Sequence, residues 1–240
     1  MKRLLVTVAH PDDEAFGPAG TIAKYANDGV EVHLLCATRG EAGEWHEESR
    51  AENKKIHHIR EEELLKSAKV LSVTKVQFLD FIDGKLCNAN YHQLAEKIIK
   101  KIETFKPQVI VTLDRLGISG HLDHIAVSMV TTFAHRKTQI ANKLYYHVLP
   151  KSWYEERMKK YFIYFPEGYG EKDITTRIDF SKFWDIKQKS MLIHQSQRKD
   201  ALNILKGWKK RKKIDHFILQ YYQGINVELP EKDLFLGIKY

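Results

Sequence analysis

One imidazole and three carboxylates follow directly after the first hydrophobic run of the chain. That run, Leu4–Val8, is short, largely apolar and rich in β-branched residues, as buried parallel strands are. It is followed by His10-Pro11-Asp12-Asp13-Glu14, and residues 21–27 then carry apolar side chains at helical spacing before Asp28-Gly29. Because open α/β sheets bind ligands at the carboxyl ends of their strands, this cluster stands where a site is expected.

The residues alone leave two interpretations of this first cluster open. A divalent metal needs a neutral imidazole and a hard carboxylate, and His10 with Asp13 would supply both. Asp12 would then remain close to the metal as a base for water. Alternatively, the acidic residues only cap the following helix and complement its dipole.

A second cluster of the same type favours the metal. Val109–Leu113 is another continuous apolar run, and the loop after it carries His121, Asp123 and His124. The two histidines are three residues apart, so they face the same side of a helical turn. Two such clusters in equivalent strand-to-helix loops predict one metal site at the carboxyl edge of the sheet.

Together these motifs resemble the LmbE-like, or PIG-L-type, family of zinc-dependent de-N-acetylases. The segments that carry the resemblance are Ala9-His10-Pro11-Asp12-Asp13-Glu14 and Gly120-His121-Leu122-Asp123-His124. Further matches are Thr38-Arg39-Gly40-Glu41-Ala42-Gly43, Asp83-Gly84-Lys85-Leu86 and residues 187–197. Residue 122 is leucine where the family usually has proline, and Leu71-Ser72-Val73 stands where glycine is commoner. Neither departure removes a ligand.

The resemblance implies metal-dependent hydrolysis of an N-acetyl group. His10, Asp13 and His124 would be the ligands of Zn²⁺, although two histidines and one carboxylate also accommodate Fe²⁺. Asp12 would be the general base that accepts a proton from the attacking water. The substrate implied is a small N-acetylglucosamine-type amino sugar, which would yield acetate and an amine.

The same resemblance gives His121 and Asp123 catalytic roles. His121 would be the histidine that is not a ligand, and as an imidazolium it would stabilise the oxyanion. Asp123 would hold His121 in its charged form. It could equally cap the helix that follows, and the two roles are compatible.

Three further residues are tentative substrate contacts. Arg39 and Arg60 carry guanidinium groups, which suit hydroxyls, carboxylates and phosphates. His194 matches a family position near the substrate. Two of the three have an alternative: Arg60 could form an ion pair on the surface of its helix, and His194 could be a solvent-exposed helix residue.

Strands and helices alternate along the first 150 residues. Helices are predicted over about 49–71 and 91–105, and further strands over 30–37, 76–79 and 144–149. This alternation predicts an α/β fold, namely a single Rossmann-like three-layer domain with a mainly parallel sheet and helices on both faces.

The last 90 residues have a weaker pattern. We expect one domain over residues 1–240, with a core of about 3–150 and with residues 151–240 packed on it. Residues 153–170 are aromatic and charged, which would suit a lid or a contact in a homo-oligomer. The remaining predictions are a strand over 174–178, helices over 183–194 and 199–213, and an ambiguous segment over 217–222.

Composition narrows the class of partner. Lys and Arg number 39 against 31 Asp and Glu, a net charge of +8, and Lys206–Lys213 is a basic run with Trp208 inside it. On composition alone such a run suggests nucleic acid, although it is also typical of the solvated end of a helix. The chain resembles no nucleic-acid-binding module, so we expect no nucleic-acid partner.

Location and class follow from what the sequence contains. No stretch approaches the roughly 18 apolar residues of a membrane span, so we expect no membrane partner. Cys36 and Cys87 form no disulfide framework, which favours the cytoplasm. Two alternatives to the enzyme remain open: a basic α/β module that binds nucleic acid, and a metal-binding relative without catalysis.

Overall fold

A twisted sheet connects the two halves of the chain. The computed structural model describes residues 1–43, 55–88, 90–155, 158 and 163–239. Within these ranges the sheet has seven strands: β1 (Arg3–Val8), β2 (Glu31–Thr38), β3 (Lys75–Phe81), β4 (Val109–Leu113), β5 (Lys143–Val148), β6 (Thr176–Asp179) and β7 (Ile214–Tyr222). Their order is β3-β2-β1-β4-β5-β7-β6. The first five strands in this order are parallel, and β7 is antiparallel to both β5 and β6.

Helices connect the parallel strands by crossovers. The α-helices of the described residues are α1 (Asp13–Phe16), α2 (Ala19–Asn27), α3 (Ile56–Val70), α4 (Tyr91–Phe105), α5 (Gly117–Gly120), α6 (Leu122–Thr138), α7 (Trp184–Ile193) and α8 (Arg198–Trp208). The start of the helix predicted over residues 49–71 lies outside the described residues, as does part of the segment 153–170. None of the helices in the described ranges is long and apolar enough to cross a lipid bilayer.

Two separate apolar layers cover the two faces of the sheet. Leu5 of β1 faces a layer that contains Ile98 of α4 and Val127 of α6. Its neighbour Leu4 faces the opposite layer, which contains Ile22 of α2 and Leu64 of α3. Because both faces are buried, the central strands are continuous apolar runs rather than alternating ones. The three-layer α/β domain predicted from the sequence is therefore confirmed.

The antiparallel edge of the sheet differs most from the prediction. The sequence predicts a helix over 199–213, but α8 ends at Trp208. Lys213 donates from Nζ to the carbonyl oxygens of Trp208, the last residue of α8, and of Arg211. The chain then enters β7. The ambiguous segment 217–222 is part of that strand. Its outer residues are only half-buried, which weakens the apolar pattern.

The tryptophan inside the basic run is a core residue. Trp208 is buried and lies edge-on to the rings of Trp153 and Phe180, with ring centroids 4.8 Å and 5.3 Å away. An aromatic side chain that stacks on nucleic-acid bases must be exposed. Trp208 therefore contributes to packing, and the basic run is the polar end of a helix and the turn after it.

We predict that His147 makes the stability of the fold depend on pH. Burial lowers the pKa of His147 to about 4, whereas an unfolded histidine titrates near 6.5. Between these values the unfolded chain binds more protons, so stability falls as the pH decreases from 6.5 towards 4. Between pH 7 and pH 5 we expect His147 to account for about 2 kcal/mol of the decrease in the free energy of unfolding.

Urea unfolding at these two pH values, followed by circular dichroism, measures this effect. His147→Gln should show a pH dependence smaller by that amount, whereas His58→Gln, at an exposed position of α3, should behave like the wild type. Equal pH dependence in the two variants would show that His147 is not the group responsible.

Candidate active site

Loops from several strands meet at the carboxyl edge of the sheet. β1 lies between β2 and β4, so the order of the strands reverses beside it, and a crevice forms at such a switch point. His10 lies in the loop after β1 and Asp13 begins α1, while His124 lies in the first turn of α6, which follows β4 and α5. The imidazoles of His10 and His124 are brought together across 114 positions of sequence, with His10 Nδ1 3.1 Å from His124 Nε2.

The side chains of His10, Asp13 and His124 have the spacing of a set of metal ligands. Asp13 Oδ1 lies 3.2 Å from His124 Nε2, and Asp13 Oδ2 lies 3.8 Å from His10 Nδ1. Nitrogen and oxygen ligands at about 2.0 Å from a tetrahedral zinc ion are about 3.3 Å from one another. The three residues predicted as ligands are therefore close to the arrangement that such an ion requires.

In His10 and His124, the ring nitrogen that does not face the other histidine has its own hydrogen-bond acceptor. His10 Nε2 lies 2.9 Å from Asp83 Oδ1 and 3.3 Å from Asp123 Oδ2, while His124 Nδ1 lies 3.0 Å from the carbonyl oxygen of Gly117. Histidine ligands of metals commonly donate their second N–H to a carboxylate or a carbonyl group. This pattern leaves His10 Nδ1 and His124 Nε2, which lie 3.1 Å apart, facing one another.

Two other groups of side chains have ligand atoms close to one another. One consists of His10, His121 and His124, and the other of His10, Asp83 and Asp123. The second group would use His10 Nε2 instead of Nδ1. Asp83 was not among the predicted site residues. Its position in the Asp83-Gly84 turn, after a predicted strand, would have indicated it.

The site concentrates negative charge away from water. Carboxylates are buried at this edge of the sheet, among them those of Asp12, Asp13, Glu14, Asp83, Asp114 and Asp123. Burial opposes a charge on His10, but hydrogen bonds to Asp123 and Asp83 and the charge of Asp13 raise its pKa to about 10. Burial likewise opposes ionisation of Asp13, yet His124 and His10 hold its pKa below the usual range. The donor set and its charge thus fit a divalent cation.

Asp12 is held beside the proposed ligands by Arg60. The guanidinium donates from Nη2 to Asp12 Oδ2 at 2.9 Å and to the carbonyl oxygen of Pro11 at 2.8 Å, and from Nη1 to that of Gly40 at 3.3 Å. Burial raises the pKa of Asp12 to about 6, although the charge of Arg60 opposes this rise. A carboxylate with a pKa near neutrality can accept a proton at physiological pH.

The tentative substrate contacts occupy other positions than expected. Arg60 is buried against Asp12 rather than paired on the helix surface. His194 is 0% exposed, and its Nε2 lies 2.7 Å from Glu14 Oε1. Arg39 is partly exposed and forms ion pairs with Glu61 and Asp80. The contacts of Arg60 and His194 favour support of the site, and direct contact of any of the three with substrate stays a prediction.

His121 and Asp123 are arranged differently from the expected pair. His121 caps α6, because its Nδ1 accepts a hydrogen bond from the backbone N–H of Asp123 at 3.2 Å. The Asp123 carboxylate instead accepts from the backbone N–H groups of Gly84 and Leu86 and faces His10. Burial, reinforced by His10 and His124, lowers the pKa of His121 to about 4. In a neutral His121 ring the hydrogen bond from the Asp123 N–H leaves the proton on Nε2.

Comparison with known proteins agrees with this geometry. The family model for PIG-L, described as GlcNAc-PI de-N-acetylase, matches residues 5–135, more than half of the chain. The chain belongs to the PIG-L family. The matched range contains both histidine clusters, and it ends inside α6, before the segment that supplies His194.

Relatives in this family include enzymes of amide hydrolysis. The mycothiol S-conjugate amidase of Streptomyces coelicolor is 26% identical over 99% of this chain and 97% of its own length. The 1D-myo-inositol 2-acetamido-2-deoxy-alpha-D-glucopyranoside deacetylase of Rhodococcus jostii is 31% identical over 82% of each chain. The alignments therefore extend beyond the motifs, and in the first case they include nearly the whole chain.

Solved structures share the fold. The N,N'-diacetylchitobiose deacetylase of Pyrococcus horikoshii has a TM-score of 0.68 at 20% identity, covering 91% of this chain and 84% of its own. The 4-carboxy-2-hydroxymuconate hydratase of Pseudomonas putida has a TM-score of 0.71 at 18% identity, covering 95% of this chain and 100% of its own. At these identities the likeness shows the fold alone, and the two enzymes catalyse different reactions.

We predict that Asp13 and Asp83 contribute unequally to metal affinity. If the ion lies on the Nδ1 side of His10, Asp13→Ala removes a ligand, whereas Asp83→Ala removes a partner of a ligand. Losing such a partner costs about 10- to 100-fold in affinity. We expect a larger loss in Asp13→Ala, measured for Zn²⁺ by competition with a chromophoric chelator.

Asp80→Ala is the matched control for this measurement. Asp80 is an acidic residue near the same edge of the sheet, but it pairs with Arg39 and lies outside the groups of candidate ligands. Its variant should bind Zn²⁺ like the wild type. A greater loss in Asp83→Ala than in Asp13→Ala would instead place the ion between His10, Asp83 and Asp123.

Proposed function

We propose that this chain is a zinc-dependent N-deacetylase, which hydrolyses the acetamide of an N-acetylglucosamine-type substrate to acetate and a free amine. The observation that carries the proposal is the three-atom group of His10, Asp13 and His124, with the carboxylate of Asp12 alongside. Membership of the PIG-L family supports the same reaction, since its relatives include a mycothiol S-conjugate amidase and a deacetylase of a 2-acetamido-2-deoxy-glucopyranoside.

The donor set supports zinc as the metal. His10, Asp13 and His124 would hold the ion, and two imidazoles with one carboxylate suit Zn²⁺ while also accommodating Fe²⁺. When bound, zinc acts as a Lewis acid that lowers the pKa of water to about 7 and polarises a carbonyl group. Asp83 and Asp123 keep the His10 ring oriented for this purpose.

Asp12 would take up the proton that water loses on attack. Its carboxylate is buried, is fixed in direction by Arg60 and has a pKa of about 6, so it is largely ionised at neutral pH and available as a base. The guanidinium also keeps the carboxylate hydrogen-bonded while no substrate is present. A general base of this kind contributes about 10²- to 10⁴-fold to the rate.

His121 would donate a hydrogen bond to the developing oxyanion. Its Nδ1 is an acceptor for the backbone N–H of Asp123, which leaves the proton on Nε2. The ring centroids of His10 and His124 are 4.7 Å and 4.9 Å away, so this donor is next to the ligands. In this proposal the electrophile is a neutral imidazole, not the imidazolium that the family resemblance implied.

The type of substrate and the cellular location are also proposals. The substrate is proposed to be a small conjugate of an N-acetylated amino sugar, because one relative is a deacetylase of 1D-myo-inositol 2-acetamido-2-deoxy-alpha-D-glucopyranoside. The cytoplasm is proposed as the location, because Cys36 and Cys87 are free thiols.

The hydratase with the same fold supplies the competing hypothesis. Hydration of a carbon–carbon double bond in an unsaturated carboxylic acid could use a similar site, and the fold does not separate the two reactions. The curated relatives favour amide hydrolysis. A substrate panel should therefore contain N-acetylglucosamine derivatives and 4-carboxy-2-hydroxymuconate.

We predict that Asp12→Asn abolishes most acetate release without loss of the metal. Asparagine keeps the size of the side chain but cannot accept a proton from water, so kcat should fall by at least about 10²-fold. Acetate release and the amount of zinc per chain are measured on the same preparation. Chelator treatment should abolish release by the wild type, and added zinc should restore it.

Two results would contradict the proposal. Undiminished activity of Asp12→Asn would remove Asp12 from the reaction. Hydration of the unsaturated acid by the wild type, with no acetate released from any amino sugar, would replace deacetylation with hydration. Neither reaction requires binding to nucleic acid. Binding that is detectable at low salt and falls steeply as salt rises would support the nucleic-acid hypothesis instead.

A further inference from the structure

Asp12 has a backbone conformation that is unfavourable for a residue with a Cβ atom. Its φ is 113° and its ψ is −26°, while most non-glycine residues avoid positive φ. Such a conformation persists only when surrounding contacts enforce it. In this conformation the carboxylate of Asp12 faces Arg60, so contacts that hold the backbone also bear on the direction of the base.

The backbone of Asp12 is held by Glu14. The N–H of Asp12 donates to Glu14 Oε2 at 3.0 Å, and the Glu14 side chain is 0% exposed. The other carboxylate oxygen, Oε1, accepts from Ser67 Oγ at 2.6 Å and faces His194 Nε2 at 2.7 Å. Both oxygens of Glu14 therefore have buried partners, and the carboxylate cannot turn away from Asp12.

His194 comes from the opposite end of the chain. It lies just after α7, 180 positions from Glu14, and its ring is fully buried beside Phe16. The next turn of this segment is fixed separately, because Ser196 donates from N and Oγ to the two carboxylate oxygens of Glu63. The position of His194 is thus defined by its own segment as well as by Glu14.

We infer that Glu14 and His194 are positioning residues for the base Asp12. Glu14 holds the left-handed backbone of Asp12, and His194 with Ser67 holds Glu14. The catalytic consequence rests on the function proposed above. Without Glu14 the Asp12 backbone would relax to a commoner conformation and carry its carboxylate away from the ligands, and a displacement of about 1 Å can cost about 10²-fold in rate.

Two substitutions at residue 14 test this inference. Glu14→Met has a similar length but offers no acceptor to the N–H of Asp12, so we expect kcat to fall about 10²-fold. In Glu14→Gln the amide oxygen can still accept from Asp12, and the amide NH₂ can donate to His194 Nε2 once the neutral ring carries its proton on Nδ1. This variant should keep kcat within a few-fold of the wild type. KM and zinc content should be unchanged in both variants.

Residue 194 provides a second test if Glu14→Met does not fold. His194→Leu removes a buried donor to Glu14 and should lower kcat, whereas His194→Gln retains a donor and should restore most of it. Ser196→Ala is the matched control, because it weakens the same segment at Glu63 without reaching Asp12. It should reduce the free energy of unfolding and leave kcat unchanged.

A crystal structure of Glu14→Met provides a readout that does not depend on activity. The inference requires that Asp12 leave its positive φ or that its carboxylate leave Arg60. An unmoved Asp12, or an equal loss of kcat in Glu14→Gln, Glu14→Met and Ser196→Ala, would overturn it. If the wild type releases no acetate, the proposed function fails, and the crystal structure still decides whether Glu14 positions Asp12.

Discussion

The cost of burying carboxylates governs the carboxyl edge of this sheet. Several acidic side chains are buried there, and each needs a cation or hydrogen-bond donors to remain ionised. Arg60 neutralises one part of this charge, and backbone N–H groups satisfy Asp123. The remaining charge surrounds His10, whose two nitrogens face carboxylates on opposite sides. A divalent cation is the simplest means of balancing it.

The parallel sheet makes this concentration of charge possible. The loops after β1 and β4 meet because the order of the strands reverses beside β1, so short local motifs become one group without any long side chain. The surrounding layers of apolar side chains exclude water from both faces. Charge balance is consequently achieved by specific partners, which is why nearly every acidic group in the site has a defined hydrogen bond.

Local patterns revealed the motifs, and the tertiary structure determined the partners. The strands near His10 and His124 were predictable, because continuous apolar runs followed by acidic and imidazole side chains are local features. The burial of Arg60 and His194 was not predictable, because the residues they contact are 48 and 180 positions away. The end of α8 was missed for a similar reason: Trp208 and Lys213 are fixed by packing against distant aromatic rings, which helical periodicity does not report.

The position of His194 late in the chain also orders events during biosynthesis. A nascent chain that has emerged to the end of β5 already contains His10, Asp13 and His124, together with the five parallel strands that support them. It does not yet contain His194, which contacts the Glu14 carboxylate. On the proposed roles, the ligand residues are therefore synthesised before the residue that positions the base, and hydrolytic competence would follow only when the segment after α7 has docked.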